Sequence, residues 1–229
     1  MTVALEMVSD LVCPWCWLGL RRLKAAMDLA SEADVEVLFR PYELDPTIPK
    51  EGVSYTAYMQ ARLGGTGEAQ EDPEKSRFRA MREALEQYGE EEGIPFRFSG
   101  IEIRPNTFDA HRLVRWAQGQ GLGFEAKEAL FAAYFRDHRD IGAAGVLADI
   151  AGEIGLDREI VAKLLASDAD VAAVREEESL FQQMGVRGVP TYIGNRNVAV
   201  QGAESAEKLA RFLRNLTARM PQERAAGSA

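Results

Sequence analysis

The chain has 229 residues, too long for a typical single domain of roughly 150 and too short for two. Its 46% hydrophobic and 28% charged content is that of an ordinary globular protein, which excludes collagen-like, disordered and disulfide-scaffold classes. Lys plus Arg (27) against Asp plus Glu (36) leave a formal charge of −9, the wrong sign for a nucleic-acid or anionic-membrane binder.

The N-terminus MTVALEMVSD lacks the basic flank and apolar stretch of a secretory signal. No apolar run approaches the roughly 18 residues of a membrane helix, so the expected setting is the cytoplasm. Residues 3–8, VALEMV, read as a strand. They lead into CPWCWLGLRRLKAAMDLA, a helix in which Leu20, Leu23 and Met27 recur at helical spacing. Pro14 suits the first helical position, which places Cys13 at the N-cap. Residues 35–39 form a second strand, ended at Pro41 and the loop YELDPTIPKEG. The opening of the chain is thus β-α-β.

From 54 to 185 the pattern is helical. One helix runs from Tyr55 to Leu63 and stops at Gly64-Gly65. After the polar loop GGTGEAQED, Asp72-Pro73 opens another, with Phe78, Met81, Leu85 and Tyr88 on one face. Glu90-Glu91-Glu92 reads as its solvated end. Further helices are expected over 107–119, 125–137, 143–154, 157–166 and 168–184, the last carrying Val171, Val174, Phe181 and Met184. Strands over 189–193 and 197–201, joined by Gly194-Asn195-Arg196, form a β-hairpin. A closing helix over 205–217 presents Leu209, Phe212, Leu213 and Leu216, and the tail PQERAAGSA is expected to fray. The expected class is α/β: β-α-β then β-β-α, completing one four-stranded sheet with helices on its faces, the helical stretch between them being a large all-helical insertion. The corresponding division is 1–53 with 186–229 for the sheet domain and 54–185 for the insertion.

Cys13 and Cys16 are the chain's only cysteines. A disulfide closing so short a loop stabilises little, and a reducing cytosol disfavours it, so the pair reads as reactive. The thiolate is the nucleophilic form, and the unpaired N–H groups and positive dipole end of a helix stabilise an anion. Cys13 is therefore the expected nucleophile. Cys16, one turn on, is the expected resolving thiol, and Pro14-Trp15 between them tunes the pair. Zinc would need four ligands; only His111 and His138 are left to complete a set, and they lack paired spacing, so no metal is expected.

SDLVCPWCWLGLRRL and GVRGVPTYIGNRNVAVQGA resemble the DsbA family of thioredoxin-fold proteins. With RPNTFDAHRL and the absent export signal, the chain is similar to the cytoplasmic FrnE-like branch. The resemblance implies a cis peptide before Pro190, with Val189, Pro190 and Thr191 facing the dithiol and binding substrate alongside Pro14 and Trp15. It implies that Glu6 relays protons to the second thiol if the strand register turns it that way; otherwise Glu6 faces solvent. It implies that His111 supports a thiolate or binds a small thiol, the alternative being a histidine that packs on its helix neighbours. Asn106 and Thr107 read as helix caps, Arg21 and Arg22 as exposed helix face, Trp15 as substrate surface, and Trp17 as either core or rim. The implied activity is thiol–disulfide oxidoreductase, extending to disulfide isomerase, on protein or small-molecule substrates. No bound cofactor is expected, with glutathione as a co-substrate, and a monomer or homodimer. A second reading is a glutathione-dependent isomerase or transferase, similar to hydroxychromene carboxylate isomerase and kappa-class glutathione transferase. Those proteins typically carry serine where this chain has Cys13. A third is a non-enzymatic module holding unfolded segments in the cleft near Trp15 and Val189.

Overall fold

The computed structural model describes residues 2–62 and 73–218. Leu63, the loop over 64–72, the tail over 221–229 and the side chain of Phe78 lie outside what it describes. Strand β1 (Val3–Ser9) leads to helix α1 (Pro14–Leu29) and strand β2 (Val35–Pro41). Then come β3 (Val53–Ser54), α2 (Tyr55–Arg62), α3 (Pro73–Glu92), β4 (Ile103–Arg104), α4 (Phe108–Gly119) and α5 (Gly123–Phe135). α6 (Ala144–Glu153), α7 (Arg158–Leu165), α8 (Val171–Gln183), β5 (Thr191–Gly194), β6 (Val198–Gln201) and α9 (Ala206–Ala218) complete the chain.

The main sheet has the order β2-β1-β5-β6. β1 runs parallel to β2 and antiparallel to β5, which is antiparallel to β6. Because β1 is central, residues on both its faces are buried, and period-2 alternation sorts them. Leu5 and Met7 share a face with Tyr192 and Phe39. Against this face lie α1, through Gly19 at Tyr192, and α9, whose Leu216 fills the space a side chain at Gly194 would take. Glu6 and Val8 point the other way, with Ile193 and Arg40; there Val8 and Ile193 pack on Phe181 of α8.

The segment between β2 and β5 is helical as expected, with one addition. β3 and β4 form a two-stranded antiparallel ribbon, too short to leave a period in the sequence. Several boundaries also move: α5 covers Gly123–Phe135 rather than 125–137, and β2 runs on to Pro41. β5 begins at Thr191, so Val189 and Pro190 belong to the loop before it, and α8 begins only at Val171, after Asp170 at φ +57°. One continuous core runs from Val3 to Leu216 through the sheet, α1, α4, α5 and α9. Trp17 belongs to it: 1% exposed, stacked on Phe131 and Phe135 of α5 and edge-on to Phe96.

Charges that read as solvated prove to be ties between elements. Arg22 donates to Glu92 Oε1 (2.7 Å) and to the Ala203 carbonyl (2.6 Å), fastening α1 to α3. Arg21 pairs with Glu128 at 2.7 Å, and the Trp17 indole donates to the same carboxylate at 3.1 Å. No helix among the described residues is long and apolar enough to cross a membrane.

Candidate active site

Cys13 is the N-cap of α1 (φ −97°, ψ 111°) with Pro14 behind it, as the sequence requires. Its N–H donates to the Asp10 carbonyl at 3.2 Å, and the Cys16 N–H donates to the Cys13 carbonyl at 2.9 Å. These bonds shape the turn that carries both cysteines and leave the two thiols as neighbours. Both thiols are free. Cys13 is 5% exposed and Cys16 fully buried, so a reactant reaches Cys13 first. Burial pushes the Cys16 thiol well above its ordinary range, and the neighbouring Cys13 sulfur adds to the effect; Lys127 and a backbone hydrogen bond from Asp10 work against it.

The loop before β5 faces this pair. The Val189–Pro190 peptide is cis, and Cys13 Sγ lies 3.8 Å from the Val189 carbonyl oxygen. Pro190 is buried against α1 at Gly19, where a Cβ would fall 2.9 Å from Pro190 Cγ and into the Tyr192 hydroxyl. Thr191 turns its hydroxyl inward to the Gly188 carbonyl at 2.7 Å, which shapes the loop and leaves the side chain off the surface. Trp15 is half-buried and packs edge-on to Tyr88 of α3, with ring centroids 6.2 Å apart.

The register answers the question raised by Glu6. It lies on the α8 face, opposite the face on which α1 packs, and takes two bonds from Arg40, at 3.0 and 2.9 Å. A relay role for Glu6 is therefore corrected. Polar groups behind the thiols come from elsewhere. Lys127 of α5, 1% exposed, donates to Ser9 Oγ at 2.7 Å. Burial pulls its ammonium from 10.5 down to about 8, against the opposing attraction of Cys16, Asp10 and Cys13. Asp10 accepts from Thr107 Oγ (2.8 Å) and the Leu44 N–H (2.8 Å). Burial raises the Asp10 carboxyl, but the neighbouring His111 ring, Arg104 and the Leu44 N–H outweigh it and hold it below its usual range. His111 is buried with Nε2 3.6 Å from Asp10 Oδ1, beyond hydrogen-bond reach, so it meets the carboxylate rather than a sulfur. Thr107 thus serves Asp10 instead of capping α4, and Asn106 accepts the Phe108 N–H at 3.0 Å in its place.

In front of Cys13 opens a cavity of about 620 Å³, walled by Val12, Pro14, Trp15 and Val189 on one side and by α2, α3 and the end of α5 on the other. Among the described residues no group of three or more His, Cys, Asp or Glu is placed to hold a metal ion.

A model of the DSBA-like thioredoxin domain matches residues 4–214. The chain belongs to that family. This DSBA-like chain is 29% identical to a probable DsbA oxidoreductase from Streptomyces coelicolor, with a TM-score of 0.83 over 95% of this chain and 91% of that one. It is 27% identical to the uncharacterised YwbO of Bacillus subtilis (strain 168), over 84% of this chain and 87% of YwbO. Its fold also matches a 2-hydroxychromene-2-carboxylate isomerase, at 17% identity and a TM-score of 0.68, over 93% of this chain and 95% of the isomerase.

In the DSBA-like chain, the two cysteines and the Val189–Pro190 loop are where the motifs put them. Lys127, Asp10 and Arg104 escape sequence reading, though Lys127 leaves a trace. In GFEAKEALFAAYF it falls in line with Phe131 and Tyr134, at i+4 and i+7, so a charge sits on the buried stripe of α5.

Proposed function

We propose that the chain is a dithiol–disulfide oxidoreductase in which Cys13 is the nucleophile and Cys16 the resolving thiol. The observation that carries it is an outer and an inner thiol as neighbours on the first turn of α1: Cys13 at the helix N-cap and against the cis-proline loop, Cys16 three residues on and out of solvent. In the reducing direction the Cys13 thiolate attacks a substrate disulfide and forms a mixed disulfide. Cys16 then attacks the Cys13 sulfur and expels the second substrate thiolate. In the oxidising direction a substrate thiolate attacks Cys13 of the disulfide form, and Cys16 leaves. The Val189 backbone pairs with an extended segment of a protein substrate, a short strand addition, and glutathione recycles the dithiol.

A buried leaving thiolate needs a proton at once, and a buried thiol needs a base before it attacks. Lys127 fits both needs. Its ammonium at about 8 releases a proton more readily than Cys16, so transfer to the Cys16 thiolate runs downhill.

The test poises the protein in graded reduced and oxidised glutathione and counts trapped thiols by mass, with Trp15 emission as a second readout. A reversible two-electron transition between roughly −270 and −120 mV is expected. Cys13→Ser should abolish exchange, and Cys16→Ser should trap the mixed disulfide. Saturable glutathione binding without exchange would overturn the reading and favour an isomerase.

A further inference from the structure

Although the chain carries a net charge of −9, the cavity at Cys13 is cationic. Among the described residues its lining holds Arg62, Arg82 and Arg104 and no carboxylate. The rest of the wall is largely aromatic and aliphatic. Each guanidinium lies over a ring: Arg104 over Tyr58 at 5.0 Å, Arg62 over the same ring at 5.8 Å and Arg82 over Phe98 at 5.3 Å. Stacking of this kind holds a guanidinium flat and keeps its edge available for bidentate bonds.

The three differ in what they already hold. Arg82 pairs with Glu86 at 3.1 Å, and Arg62 donates to the Tyr58 hydroxyl at 2.8 Å from an exposed position. Arg104 is 7% exposed. Among the described residues it donates to the Val12 carbonyl at 3.3 Å and neighbours the Tyr134 hydroxyl, its Nε has no partner, and the Asp10 and Asp45 carboxylates act on it only from beyond ion-pair distance. A buried guanidinium with so few bonds stands at a real free-energy disadvantage that an anionic ligand would offset. It is also bonded to the residue next to Cys13, so an anion held there lies close to the reacting sulfur.

We infer that this cavity takes a compact organic acid disulfide, with an aromatic or branched apolar body and a carboxylate close to its sulfur, held by Arg104 while Cys13 attacks. The volume of about 620 Å³ is that of a small-molecule site. Apolar walls formed by Phe98, Leu85 and Phe135 favour such a body over a polar tripeptide. This specificity rests on the dithiol chemistry proposed above, and its steps balance. The Cys13 thiolate breaks the substrate S–S bond, releasing one thiolate and forming a mixed disulfide. Cys16 loses its proton, attacks the Cys13 sulfur and expels the second thiolate. The dithiol gives two electrons and the substrate disulfide takes two, and both protons pass to solvent.

The test is stopped-flow single turnover of the pre-reduced full-length protein with three probes: dithiobis(nitrobenzoate), the matching dithiobis(nitrobenzamide) and glutathione disulfide. Each rate constant is divided by that of dithiothreitol with the same probe, which removes intrinsic reactivity. The acid should exceed the amide by about tenfold or more after this division, the worth of one charge-assisted hydrogen bond, and the excess should shrink with added salt. Arg104→Gln should bring the ratio toward one, and Arg104→Lys should keep part of it. A normalised ratio near one in the wild-type protein, or faster reduction of glutathione disulfide than of the acid, would overturn the inference while leaving the dithiol reading intact. Failure to reduce any of the three would overturn both.

Discussion

At neutral pH Lys127 is charged and buried, with no carboxylate at ion-pair distance among the described residues, so it opposes folding. The fall from 10.5 to about 8 corresponds to roughly 3 kcal/mol. Between those values the unfolded chain binds more protons than the native one, so stability rises with pH from about 8 upward. Cys16 acts in the opposite sense above its ordinary 9.0, where the unfolded chain loses a proton that the native one keeps. The lysine therefore shows alone between pH 8 and 9. In urea titrations of the reduced protein, Lys127→Met should abolish the rise across that window. It should also add about 1–2 kcal/mol at pH 7, the Ser9 hydroxyl losing a bond of ~1 kcal/mol. If Lys127 handles the Cys16 proton, resolution of the mixed disulfide accelerates as pH climbs through about 8, and the variant loses that inflection while keeping mixed-disulfide formation. A variant with an unchanged resolution profile would reduce Lys127 to a packing role. The pairing of Lys127 with Ser9 spans 118 positions, which explains why the site was only half legible. Cys13 and Cys16 share one turn of one helix and announce themselves. Lys127, Asp10 and Arg104 converge only after the chain has folded, and Glu6 needed a register that its own strand does not specify.

α1 approaches the cis-proline loop closely because position 19 has no side chain. A methyl group there meets Pro190 Cγ at 2.9 Å and the buried Tyr192 hydroxyl. Overpacking of this kind destabilises by roughly 1–3 kcal/mol, while alanine gains about 1 kcal/mol of helix propensity over glycine. Gly19→Ala should therefore lower stability by no more than about 2 kcal/mol, yet slow disulfide exchange several-fold by shifting the Val189 carbonyl from Cys13. Gly145→Ala, at an exposed position of α6 with open space around it, is the matched control: stability up by as much as ~1 kcal/mol and exchange unchanged. Equal exchange rates in the two variants would show that the spacing of helix and loop is immaterial. Elements of this kind were well marked in the sequence. Leu20 and Leu23 line the buried side of α1, and Pro14 starts it where expected. The misplaced start of β5 has a local reason: Val189 and Thr191 have strand propensity, but the Val189 carbonyl is turned to Cys13 rather than to a neighbouring strand. The ribbon β3–β4 has two residues per strand, a single strand period that cannot show a repeat, and Arg22 and Glu92 look solvated until α1 and α3 are side by side.

The division of the chain into a sheet domain, 1–53 with 186–229, and an inserted helical domain, 54–185, raises the question of whether the two unfold separately. The core argues that they do not. Trp17 belongs to the β-α-β unit, yet its ring is stacked against both Phe131 and Phe135 of α5 and its indole N–H donates to Glu128 of the same helix. Phe39 of β2 packs edge-on to Phe124 at 5.0 Å, and its N–H donates to Gln118 of α4 at 2.6 Å. Within the helical segment, Trp116 donates to Asp170 at 2.8 Å, and Arg112 threads the carbonyls of Leu164, Ser167 and Ala169, which ties α4 to the end of α7 and the start of α8. Removing the helices would strip the apolar cover from Trp17 and Phe39, and removing the sheet would strip it from α5. We expect one cooperative transition. Single-tryptophan variants retaining Trp17 or Trp116 should give urea midpoints that coincide with each other and with far-ultraviolet circular dichroism. Earlier loss of the Trp116 signal would instead mean that the helical segment is a separate folding unit. The site itself would then be assembled by docking of two bodies, because its dithiol stands on α1 while Lys127 and Arg104 come from the other side.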